Sequence, residues 1–107
     1  MTNRIHIALA VSDYEASIEE YTKRLRAGPC CTVEGIYALW RTPQVNLSVS
    51  VKPEEAGTLR HLGFEEPLAE GFGEERDSNG FVWERFSAEG QRGEILARWP
   101  HAQFHEV

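Results

Sequence analysis

Cysteine is scarce in this chain of 107 residues: there are two, Cys30 and Cys31, and they are neighbours. A disulfide between adjacent residues closes a strained ring, and two thiols alone do not complete a zinc site. They read as reduced thiols, which points to a reducing compartment. Excess positive charge is also lacking, with 11 Lys and Arg against 17 Asp and Glu and a formal net charge of -6. Only Lys23, Arg24 and Arg26 lie close together, in a stretch that also carries Glu15, Glu19 and Glu20. This dispersal excludes nucleic acid as a general partner, because neutralising phosphates takes clustered cations. Apolar runs such as Ile7 to Val11 fall far short of the ~20 residues of a membrane span. The opening Met1-Thr2-Asn3-Arg4 lacks a signal-peptide layout, so a cytoplasmic location is expected. A Gly-x-Ser-x-Gly elbow and a phosphate-binding glycine loop are both missing, which removes the usual nucleophile and nucleotide readings.

What is present suffices for one folded core. The chain is 41% apolar with three tryptophans, and its length suits a single domain, residues 1–107. Ile5, Ile7, Leu9 and Val11 alternate with His6, Ala8 and Ala10, which predicts a half-buried strand over Arg4 to Val11. Ser12-Asp13 then caps a helix, with Ser12 and Glu15 spaced as a capping box. Tyr14, Ser17, Ile18, Tyr21 and Leu25 recur at helical spacing, and Gly28-Pro29 ends the helix. Strands are expected over Cys31 to Glu34, Ile36 to Arg41 and Val45 to Val51. The first half, residues 1–52, therefore reads β-α-β-β-β.

A polar linker over residues 53–60 precedes a second half, residues 61–107, whose first strand begins near Leu59 and runs through His61-Leu62-Gly63-Phe64-Glu65. Glu66 to Asn79 reads as loop or a short irregular strand. Phe81 to Ser87 and Gly93 to Trp99 are expected to be strands joined around Gly90, and the tail His101 to Val107 to be loosely held. The fold class is α+β.

Three features could carry chemistry. His6 and His61 each open one half on the less apolar face of a strand; side by side, the two imidazoles could share a metal ion, or each could be an ordinary satisfied strand histidine. Glu84 follows the turn signal Asn79-Gly80 and lies among Val82, Trp83 and Phe86. It either faces water on an edge strand or completes a set of two imidazoles and one carboxylate, the arrangement of open-sided ferrous sites. Glu94 is the competing carboxylate. Cys30 and Cys31 could chelate a soft ion or an arsenical, or simply fill the start of a strand with one side chain in and one out.

Ile5-His6-Ile7-Ala8-Leu9-Ala10-Val11-Ser12-Asp13, with Ser17, Tyr21-Thr22 and Leu25, resembles the opening of the glyoxalase/bleomycin-resistance/dioxygenase family, the vicinal oxygen chelate superfamily. His61-Leu62-Gly63-Phe64 resembles the start of its second module, and Asp77-x-x-Gly80-x-x-x-Glu84 its closing motif. The resemblance implies a βαβββ module followed by a shortened second module. It also implies a divalent metal ion (Fe, Mn, Ni or Zn) held by His6, His61 and Glu84. The family's fourth ligand falls near Asn46, a much poorer donor, so the implied set is closer to those of extradiol dioxygenases and organoarsenical lyases. Only 23 positions separate His61 from Glu84, so the second module's helix is expected to be missing. The implied activity is metal-assisted lyase or dioxygenase chemistry on a small oxygenated or aromatic molecule, with a homodimer compensating for the lost helix. The alternative is a metal-free binding protein of the bleomycin-resistance type, its cleft lined by Trp40, Phe81 and Trp83, or an inactive remnant of the fold.

Overall fold

Strict alternation of apolar and small or polar residues makes each face of the central strands distinct, and this fixes their pairing. The computed structural model describes residues 3–105, in the order β1 (Arg4–Val11), α1 (Tyr14–Leu25), β2 (Cys31–Val33), β3 (Tyr37–Arg41), β4 (Val45–Val51), a 3-10 turn (Pro53–Glu55), β5 (Leu59–Glu65), β6 (Phe72–Arg76), β7 (Val82–Phe86), α2 (Ala88–Arg98) and β8 (Gln103–Phe104). The strands form one eight-stranded mixed sheet in the order β6-β7-β5-β1-β4-β3-β2-β8. The fold is thus α+β. Among the described residues, no helix is long and apolar enough to cross a membrane.

The sheet holds an internal echo. β1 runs parallel to β4, which pairs antiparallel with β3; likewise β5 runs parallel to β7, which pairs antiparallel with β6. The two opening strands, β1 and β5, lie antiparallel at the centre. No helix separates β5 from β7.

α1 packs Tyr14, Ile18, Tyr21 and Leu25 against Trp40, Leu47 and Val49 on one face of the first half. Its cap differs from the expected box: Asp13, not Ser12, accepts a hydrogen bond from the Ala16 amide. The helix ends earlier than Gly28, at Arg26, which itself takes the left-handed conformation (φ 56°). Gly80 has φ 89°, so the turn into β7 needs glycine there, and the Asp77 carboxylate clasps that turn by accepting from the Asn79 and Phe81 amides.

The last third departs from the expected strands. Residues Gly93 to Trp99 belong to α2, capped by the Ser87 hydroxyl, rather than to a strand. Glu94 therefore sits exposed on a helix. α2 lies over the face opposite α1, where Ile95 and Trp99 join Cys31, Val33, Tyr37 and Leu39 in a second core. The tail is tied down as far as described: β8 pairs with β2, and the His105 imidazole meets the Thr32 hydroxyl at 2.8 Å. Residues 106–107 lie outside the described residues. Both cysteines are free thiols, Cys31 fully buried and Cys30 half-buried against the same core. Burial pushes the Cys31 thiol up to about 12 and raises that of Cys30, which fits their place among packed side chains.

Candidate metal centre

Register brings the sequence's scattered candidates into one place. Across neighbouring strands, Asn46 on β4 stands opposite His6 on β1, His6 opposite Gly63 on β5, and Gly63 opposite Glu84 on β7. Residues directly opposite share a face, so these four form one row on the α2 side of the sheet. Gly63 contributes no side chain to the row, which leaves His6 and Glu84 free to lean toward each other over it. A Cβ there would lie 2.9 Å from both the carbonyl carbon and the amide nitrogen of Glu84. His61, two residues before Gly63 on the same face, stands opposite the small Ala8 and fills the space from the adjoining row.

The result is a cluster of three donors. His6, His61 and Glu84 each offer a ligand atom, and those atoms lie within 4.8 Å of one another. His6 Nε2 is 3.0 Å from His61 Nε2 and 3.7 Å from Glu84 Oε1, which is 3.1 Å from His61 Nε2. Ligands at about 2.1 Å from one ion stand about 3.0 Å apart at right angles and about 3.4 Å apart at tetrahedral angles. The observed separations span those values, so the donor set fits a single divalent ion.

Protonation supports the same fit. His6 Nδ1 faces two oxygens of Asn46, Oδ1 at 2.8 Å and the backbone carbonyl at 3.1 Å. Both are acceptors, so Nδ1 carries the proton and Nε2 keeps its lone pair. Burial lowers the His6 pKa, against the hydrogen bonds that the ring donates to Asn46, so the ring stays neutral near pH 7.

Behind His6 lies a buried polar network. The Asn46 amide donates to Glu65 Oε1 (2.9 Å) and Gln91 Oε1 (2.8 Å), and Gln91 donates back to Asn46 Oδ1 (3.1 Å). Glu65, only 2% exposed, accepts from Arg4 and twice from Arg41, each at 2.8 Å. Among the described residues no buried side-chain polar atom lacks a partner. Asn46 therefore holds the ring of His6 rather than joining the donor cluster. The sequence marked Asn46 only as a poor ligand and Gly63 only as part of a motif, and it did not point to Gln91 or Glu65, since a buried polar residue looks like a surface one until its partners are known.

The cluster opens into a cleft of about 640 Å³ between the sheet and α2. Its walls include Tyr37, Ser48, Phe72, Phe86 and Trp99, and burial raises the Tyr37 pKa so that its phenol stays a neutral donor. The aromatic residues expected around a ligand lie elsewhere. Trp40 is fully buried beneath α1, Phe81 is exposed, and Trp83 stacks on Phe64 on the face away from the cluster. Glu94 lines the cleft but is not among the clustered donors. No protein-family model and no curated protein matches this chain.

Proposed function

We propose that this is a glyoxalase/dioxygenase-like metalloprotein. It binds a divalent ion through His6, His61 and Glu84 and acts on a small oxygenated or aromatic molecule by lyase or dioxygenase chemistry. One observation carries the reading: three donors from three different strands converge over a glycine that makes room for them. The repeat of β1-β4-β3 in β5-β7-β6 supports a reading as two related modules, the second without a helix. An ion in this site supplies Lewis-acid polarisation of vicinal substrate oxygens. The chain's own part is to hold His6 through Asn46, to keep Tyr37 as a neutral hydrogen-bond donor, and to shelter the cleft with α2.

The test is oxygen uptake and product analysis after anaerobic loading with Fe(II), Mn(II), Ni(II) or Zn(II), with catechols and with vicinal oxygen compounds as substrates. Turnover by the wild type and its loss in Glu84→Gln are the expected results. A metal-loaded protein inert to both classes would turn the reading toward the binding protein or the remnant.

A homodimer fits the face that α1 leaves bare. Ile5 and Phe64 stand opposite each other there, as do Leu62 and Trp83, and Ile5 is 44% exposed. This is where a helix between β5 and β7 would have packed, and a second copy of the chain can replace it. Light scattering is expected to give twice the chain mass for the wild type and the chain mass for Phe64→Glu; a monomeric wild type at high concentration contradicts the dimer.

A further inference from the structure

We infer that the substrate of this site carries an anionic group, a carboxylate or a phosphonate, in addition to its metal-chelating oxygens, and that Arg60 binds it. The inference rests on the metal-centre reading and narrows its substrate class. Four arginines, Arg4, Arg24, Arg41 and Arg85, pair with carboxylates. Arg60, Arg76 and Arg98 form no ion pair among the described residues, and all three line the cleft. The cleft's lining balances them in number with Glu74, Glu84 and Glu94, but Arg60 is the half-buried one of the three arginines and has no carboxylate in direct contact.

Arg60 is placed there by a backbone irregularity. β1 and β5 pair Ala8 with His61 but Leu9 with Leu59, so Arg60 is the extra residue of a bulge with no partner on β1. Bulges redirect side chains. Here the guanidinium reaches the α2 side of the sheet, where it donates to the Ser50 hydroxyl at 3.2 Å. Ser50 is neutral, and a guanidinium offers about five donors in a planar fork suited to a two-oxygen anion. The half-buried cation is thus oriented yet lacks a counter-charge. Arg76, held by the Gly80 carbonyl at 2.8 Å, and Arg98, 5.1 Å over the Trp99 ring, add positive field at the rim. Glu74 and Glu94 line the same rim, exposed like Arg76 and Arg98, and neither lies within ion-pair distance of Arg60.

The experiment is calorimetric titration of Zn(II)-loaded protein with catechol, 3,4-dihydroxybenzoate and 3,4-dihydroxyphenylphosphonate, which share the vicinal oxygens and differ in the anion. The wild type is expected to bind at least one anionic probe about tenfold or more tightly than catechol, and the stronger of the two identifies the anion. In Arg60→Met that preference should fall severalfold while zinc content stays unchanged. Arg60→Lys, which keeps the charge but not the fork, should retain only part of it. Equal affinities in the wild type, or a preference unchanged in Arg60→Met, would overturn the assignment. If elemental analysis finds no metal in the wild type after loading with Zn(II), Fe(II), Mn(II) or Ni(II), the metal reading fails by itself. The same titrations on that protein then decide the anion site, for which an Arg60-dependent preference for the charged probes is still required.

Discussion

Glu65→Gln is expected to destabilise the protein by about 3 kcal/mol. Removing one partner of a buried ion pair costs about 3–5 kcal/mol because the other charge is left without compensation. Here the two guanidinium groups are 26% and 32% exposed, which softens the loss toward the lower end. Glutamine has the right shape but presents an amide donor where the oxygen accepted from arginine. It also disturbs Asn46, whose amide donates to Glu65, and through Asn46 the ring of His6. Chemical denaturation reads the stability change, and an unaltered midpoint would contradict this role for Glu65.

The same carboxylate sets an acid limit. Burial alone raises its pKa, but hydrogen bonds and charge from Arg41, Asn46 and Arg4 outweigh burial and bring it to about 2, against an ordinary 4.5. A carboxyl held below its unfolded value stabilises the fold above that value, and its contribution fades as pH falls toward the folded pKa. The wild type should therefore lose stability from about pH 4.5 down to about pH 2, while the Glu65→Gln curve runs flatter across that window. Parallel curves would show that Glu65 is not the group responsible.

Gly63→Ala is expected to cost about 3 kcal/mol, the upper end of what overpacking costs, and to impair the metal centre as well. The new methyl would collide with the backbone of Glu84, which is in the adjacent strand and cannot swing aside as a side chain could. β5 and β7 must then separate, and two of the three donors sit on those strands. Loss of stability together with weakened metal binding is the expected pattern. An alanine variant with wild-type stability and affinity would mean that the close approach of the strands is unnecessary.

The first half of the fold was legible because its elements announce themselves. β1 and β4 alternate with both faces distinct, and α1 repeats its apolar residues at helical spacing. α2 was not legible, since Gly90 and Gly93 interrupt it and only Gln91 and Ile95 are buried. Glycine inside a helix is disfavoured by about 1 kcal/mol relative to alanine, and the burial that offsets this comes from the sheet, which no local pattern reveals. The tail misled for the same reason, because β8 is held by β2, a strand some seventy positions away. At the site, His6, His61 and Glu84 could be named from residue type and placement. Their convergence depends on register, and the bulge that redirects Arg60 depends on it too.

The central claim is that His6, His61 and Glu84 hold a metal ion, and elemental analysis of protein purified without chelator tests it most directly. The wild type should carry close to one equivalent of a divalent metal, and folded His61→Ala should carry almost none. Wild-type protein that stays metal-free even after anaerobic loading with Fe(II), Mn(II), Ni(II) or Zn(II) would contradict the account.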